Sequence, residues 1–143
     1  MIEVLLDTNV IVRLLCDDVP EHSAAIDELI AEAAAGGCRL RVVESTLAEA
    51  VFVLTSFYGL ERSAVAAALR MLLERPGVVM EHPEATIDAL GRFAAGRLHW
   101  VDHYVAARAE AGGMRLATFD RKLRRAAGGS VWPERLPRVR KRS

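Results

Sequence analysis

Cysteine is scarce in this chain, long apolar runs are missing and neither charge is in excess, and each scarcity removes a class of protein. Among 143 residues there are two cysteines, Cys16 and Cys38. They stand apart, form no C-x-x-C pair and share no ligand cluster with the four histidines. A disulfide scaffold and a Cys/His metal site are therefore excluded, and two reduced, partly buried thiols are expected. No apolar run reaches the roughly eighteen residues of a membrane span. The N-terminus lacks a basic region followed by an apolar stretch and a small-residue cleavage site, which predicts a cytoplasmic protein. Linkers of low complexity and internal repeats are missing too. What remains is a globular chain, 52% hydrophobic, long enough to bury a core. The reading is one domain over residues 1–128, then a short last strand and a basic tail over 129–143.

The zero net charge conceals a split. Residues 121–143 hold nine Lys/Arg against the single acid Glu134, a net +8, so residues 1–120 carry −8. An acidic body with a basic end can present phosphate-binding charge beside an acidic site. The last residues also read as a plain solubilising tail.

Short apolar runs alternate with longer helical patterns. "IEVLL" (2–6), "CRLRVV" (38–43), "GVVME" (77–81) and "MRLAT" (114–118) read as strands, with a weaker fifth near "SVW" (130–132). Helical stretches cover 19–37, 46–59, 61–77, 83–96 and 101–113, several opened by proline or closed by glycine. Such alternation means parallel strands joined by crossover helices. The expected class is α/β, a three-layer α/β/α fold with a central parallel sheet of four to five strands. Sites in such sheets lie outside the carboxyl ends of the strands, where helices begin.

Four acids fall at that rim. Asp7 follows the first strand and Asp120 the fourth, while Glu49 and Asp102 are placed in the first turns of the helices beginning near Thr46 and Val101. Each also has a purely local reading. Asp7 and Asp120 suit N-caps, Glu49 completes a T-L-A-E capping box with Thr46, and Asp102 suits a positive helix end. The apolar neighbours Leu47, Val51, Phe52, Val101 and Val105 nevertheless set these acids at the edge of the core, close together. Two carboxylates about 5 Å apart at an effective dielectric of about 20 repel by roughly 3 kcal/mol. Helix N-termini offset about 0.3–1 kcal/mol each; a divalent cation offsets the rest. An all-oxygen donor set favours Mg²⁺ or Mn²⁺ over Zn²⁺, and phosphoryl chemistry is the usual work of such a site.

Taken together, "LLDTNVIVRLL", "TLAEAVFVL" and "LHWVDHYVAARAEAGGMRLATFDRKL" resemble the PIN domain, and within it the VapC-type toxins of bacterial toxin–antitoxin pairs. The resemblance spans residues 2 to about 128. It implies that Asp7, Glu49, Asp102 and Asp120 form an acidic, catalytic metal cluster, supported by Thr8, Asn9 and Thr118. It further implies an endoribonuclease using Mg²⁺ or Mn²⁺, products with 5′-phosphate and 3′-hydroxyl ends, a homodimer, and a cognate antitoxin lying across the site. His103 and the basic tail have no counterpart in the family pattern.

Arg121, Lys122, Arg124 and Arg125 follow Asp120 directly. They read either as contacts to the RNA backbone or as a solvated helix face. His103 and Trp100 neighbour Asp102 and divide between RNA contact and core. The stripe Val51, Phe52, Leu54, Thr55 and Tyr58 reads as core, and part of it, with "AVAAALRMLL" (64–73), would otherwise serve a protein partner. Rival functions are a non-toxin PIN nuclease in RNA maturation or on structured DNA, and a catalytically silent RNA-binding or interaction module. A D-x-D phosphatase is disfavoured, because Asn9 holds the second acidic position.

Overall fold

The computed structural model describes residues 1–16 and 18–139; Arg140, Lys141 and Arg142 of the basic tail lie outside the described residues. Strand β1 (Glu3–Leu5) leads through Leu6 and Asp7 into α1 (Thr8–Leu15) and α2 (Pro20–Ala34). Then come β2 (Arg39–Val42), α3 (Glu44–Phe52), α4 (Arg62–Leu73), β3 (Val78–Met80), α5 (Pro83–Ala95) and α6 (Trp100–Ala111). The chain closes with β4 (Leu116–Ala117), α7 (Arg121–Ala126) and β5 (Val131–Trp132). Helix α3 runs on as a π-helical turn over Val53–Phe57.

Every strand pair is parallel, as the alternation requires. The fold is mixed α/β with a parallel sheet, consistent with three α/β/α layers. The hydrogen-bonded ladder is divided, however: β1-β2-β3 form one sheet and β4-β5 another. Two-residue strands offer too few backbone groups for a longer ladder. Leu40 aligns with Val4 and Val78, and Ala117 with Trp132. On β2, Leu40 and Val42 are buried while Arg39 and Arg41 take the opposite face, where Arg41 meets Glu3 at 2.9 Å. That is the period-two alternation of a strand.

The core gathers around this inner face. Leu6, Ile11, Leu47, Leu54, Leu69 and Leu90 are all at most 1% exposed. The β-branched run in α1 would suit a strand, but Thr8, Ile11 and Val12 share one helical face and bury it. Phe52 departs from the expected core stripe: Val51 and Leu54 turn inward, whereas Phe52 is 65% exposed. Residues one and two apart cannot share a helix face. Both cysteines are free, Cys38 buried and Cys16 half-buried, and burial pushes the Cys16 thiol pKa up. Among the described residues, no helix is long and apolar enough to cross a membrane.

One turn leaves no room for a side chain. Gly77, between α4 and β3, has φ +85°, and a Cβ there would stand 2.6 Å from the Ala33 carbonyl oxygen at the end of α2. Its own carbonyl accepts the Leu40 amide at 2.8 Å, so the turn also fixes the register of β2. Gly77→Ala should cost at least about 1–3 kcal/mol from the left-handed conformation alone. Urea denaturation checks this as a lower midpoint with an unchanged slope.

Candidate metal centre

Asp7 ends the β1 connection and takes the N-cap position of α1, with extended backbone at φ −75° and ψ 160°. Its backbone carbonyl accepts from Val10 and Ile11, but its exposed carboxylate makes no capping hydrogen bond. A carboxylate placed at a helix start and left unspent there is available to a ligand. Thr8, buried beside it, donates its hydroxyl to Glu49 Oε2 at 3.1 Å. That bond spans α1 and α3 and brings Glu49 to the Asp7 end of the sheet.

The capping-box reading of Glu49 is corrected. Helix α3 begins at Glu44 after the N-cap Val43, so Glu49 sits in the second turn, and Thr46 donates instead to the Val43 carbonyl at 3.1 Å. The connection from β2 is one residue long, which starts the helix earlier than the Thr46 signal suggests.

Asp102 keeps its expected place in the first turn of α6. Its carboxylate accepts the His99 amide at 3.2 Å, closing the helix N-terminus. Asp120 caps α7: Oδ1 accepts the Leu123 amide at 3.0 Å, while the Asp120 amide donates to Thr118 Oγ1, also at 3.0 Å. Thr118 therefore orients the loop that carries the acid. Asn9 is exposed in the first turn of α1 and lines a groove of about 360 Å³ with Val10, Arg13 and His22.

Asp7, Asp102 and Asp120 stand at helix starts, while Glu49 is held to α1 by the Thr8 hydroxyl. Among the described residues, no three of them bring carboxylate oxygens within 4.8 Å of one another. The structure ties Glu49 to Thr8, the residue after Asp7, and holds Asp102 and Asp120 at helix starts of their own. Each has an oxygen that accepts no bond from the described residues, and the donor set is all oxygen. These two features fit a hard divalent cation.

A trio that sequence reasoning missed does meet the distance condition: Glu44, Glu81 and His82, all exposed. Glu44 follows β2 and Glu81 follows β3 within two residues, the same signal that picked out Asp7 and Asp120. Glu44 is already committed, accepting from the Tyr104 hydroxyl at 2.5 Å and from Arg108 at 2.8 Å.

His103 and Trp100 resolve toward the core. His103 is 5% exposed, lies edge-on to Phe93 and finds no hydrogen-bond partner for Nε2 among the described residues. Burial, then the nearby Arg62 charge, lowers its pKa and favours the neutral ring. Trp100 is buried and stacks on Tyr104. Of the basic residues, Arg121, Lys122 and Arg125 are exposed. Arg124 is turned inward, donating to the Thr118 carbonyl at 3.3 Å and the Glu134 carbonyl at 3.0 Å.

With this geometry in place, a comparison with protein families becomes informative: the family model of the PIN domain matches residues 4–129. The chain belongs to the PIN domain family. No curated protein matches it in a sequence comparison. PIN domains are a nuclease superfamily and generally depend on metal ions. Asp7, Glu49, Asp102 and Asp120 of this PIN domain carry oxygen donors of the kind a hard divalent cation takes.

Arg62 on α4 sets where Asp102 stands. Its guanidinium donates to the carbonyls of Phe93, Gly96, Leu98 and Arg97, the Leu98 bond being 2.6 Å, and lies 4.3 Å over the Phe93 ring. A lysine has no planar fork to serve several carbonyls at once. Arg62→Lys should lower stability by about 1–3 kcal/mol and speed amide exchange across residues 96–102. Urea denaturation and hydrogen–deuterium exchange read the two effects.

Proposed function

We propose that this PIN domain is a metal-dependent endoribonuclease and the toxin component of a type II toxin–antitoxin module. The observations that carry the reading are the Asp7 carboxylate, which makes no capping bond at the head of α1, and the bond from Thr8, the next residue, to Glu49. Asp7, Glu49, Asp102 and Asp120 would hold Mg²⁺ or Mn²⁺. When bound, the cation supplies a nucleophilic water at neutral pH and stabilises the departing 3′-oxygen. Thr8 fixes the rotamer of Glu49 by donating to one oxygen and leaves the other free. Thr118 and the helix cap together fix Asp120. Asp102 remains anchored to the start of α6. Products carry 5′-phosphate and 3′-hydroxyl ends.

In this reading the exposed cations Arg121, Lys122 and Arg125 contact RNA phosphates beside Asp120, and Arg124 supports them from within. The chain acts in the cytoplasm as a homodimer, and a cognate antitoxin holds it silent. Exposed Phe52, Phe57 and Val101 supply apolar surface for protein partners.

Expression of the chain alone in a bacterium should arrest growth, and purified protein with Mg²⁺ or Mn²⁺ should cut cellular RNA. Asp7→Asn should abolish both while circular dichroism stays unchanged. Thr8→Val should weaken activity by about 10–100-fold, the usual effect of losing a group that orients a metal ligand. Uncut RNA in the presence of either metal would refute the enzymatic reading, and cutting without growth arrest would leave a non-toxin nuclease.

The phosphate-binding cations have a separate signature. In metal-free buffer, the logarithm of RNA affinity should fall linearly with the logarithm of salt concentration, because bound counterions are released. Replacing Arg121, Lys122 and Arg125 together by Gln should flatten that slope by about 0.7 for each phosphate no longer neutralised. A slope equal to wild type would remove these residues from the RNA path.

A further inference from the structure

Two of the largest exposed apolar side chains stand next to the last acid of the rim. Phe119 immediately precedes Asp120 and is 65% exposed; Trp132, on β5, is 48% exposed. Their rings lie 6.0 Å apart at 63°. Parallel pairing sets Trp132 opposite Ala117, and the Thr118 amide donates to the Trp132 carbonyl at 2.9 Å. The backbone that aims Asp120 therefore also aims both rings. Aromatic rings of this size are normally buried, where each removes a large apolar area from water. An edge-to-face pair leaves ring faces open to solvent, and Phe119 stands two residues before the first cation of α7. Arg121, Arg124, Arg125 and Leu136 line a groove of about 430 Å³ on the adjacent helix.

We propose that Phe119 and Trp132 are a stacking platform for unpaired bases of single-stranded RNA, with the exposed cations of α7 tracking its backbone. The proposal rests on the ribonuclease reading and adds to it the two side chains that would hold the substrate's unpaired bases. The chemistry matches both parts of the surface. Ring faces bind nucleobases of any sequence by stacking, and nearby guanidinium groups bind phosphate. Bases within an RNA duplex are already stacked on one another, so only loops, bulges and ends can engage such rings. A base resting on Phe119 would place its neighbouring phosphodiester beside Asp120. Charge complementarity selects this partner over a second copy of the chain, whose own α7 surface would bring like charges together.

The test is binding in metal-free buffer, where nothing is cut. Three labelled probes of equal length are compared by fluorescence anisotropy: single-stranded RNA, an abasic strand with the same backbone, and duplex RNA. Wild type should prefer the single strand, and intrinsic tryptophan fluorescence should be quenched on binding. Phe119→Leu, which keeps an apolar side chain, should weaken single-strand binding by roughly 5- to 150-fold and leave the abasic probe unchanged. Phe119→Tyr should retain wild-type affinity. Trp132→Phe, which keeps a ring in β5, should abolish the quenching, because buried Trp100 is out of reach of a base.

Equal losses on the base-bearing and abasic probes would overturn the platform, as would wild-type affinity in Phe119→Leu. A change in sedimentation coefficient of that variant, with RNA affinity intact, would make the rings a protein interface and equally overturn it. If wild type cuts RNA but Phe119→Leu binds normally, the platform alone falls. If wild type neither binds nor cuts RNA, the ribonuclease reading falls first and takes the platform with it.

Discussion

Between α5 and α6 the chain reverses within a few residues, and an arginine from a third helix holds that reversal. Loops of this kind expose carbonyl oxygens that no helix or strand satisfies. Arg62 serves four of them and covers the Phe93 ring as well. Beneath the same loop, a Cβ on Gly96 would stand 2.6 Å from His103 Cε1. Packing below and hydrogen bonding above leave the start of α6 little freedom, and Asp102 lies in its first turn. An acid anchored this way depends on α4, α5 and the core together rather than on its own segment.

The other three acids are anchored by shorter means. Asp120 and its supporting Thr118 form a local unit of backbone-to-side-chain bonds. Asp7 relies on the strand-to-helix corner, and Glu49 on the hydroxyl of Thr8 forty-one residues away. A rim assembled from independent supports tolerates charge that a single rigid cluster would not. Each carboxylate keeps to solvent or to a helix start, which reduces the repulsion that bare convergence would cost.

Much of this is legible in the sequence. The strands follow from Val/Leu-rich runs, Pro20 and Pro83 mark the starts of α2 and α5, and Asp102 and Asp120 stand at helix starts as expected. Family resemblance orders the acids. The departures have specific causes. Helix α1 is obscured because Val10, Ile11 and Val12 favour a strand by propensity, and only tertiary burial of Ile11 and Val12 makes the helix worthwhile. Glu49 is misplaced because a real hydroxyl–carbonyl bond by Thr46 mimics a cap two residues into the helix. The inward turn of Arg124 depends on the Glu134 carbonyl, which no local pattern could place. Phe119 and Trp132 escape notice because nothing in their spacing, thirteen residues apart in sequence, shows that β4 and β5 pair.

The division of charge gives the molecule an orientation. With −8 over residues 1–120 and +8 from residue 121 onward, the two stretches of chain would feel opposite forces in the field of a polyanion. Such forces act over several ångströms and would begin before any surface is touched. Exposed Arg121, Lys122 and Arg125 follow Asp120 directly, so the pull on a phosphate would be felt within a few residues of that acid.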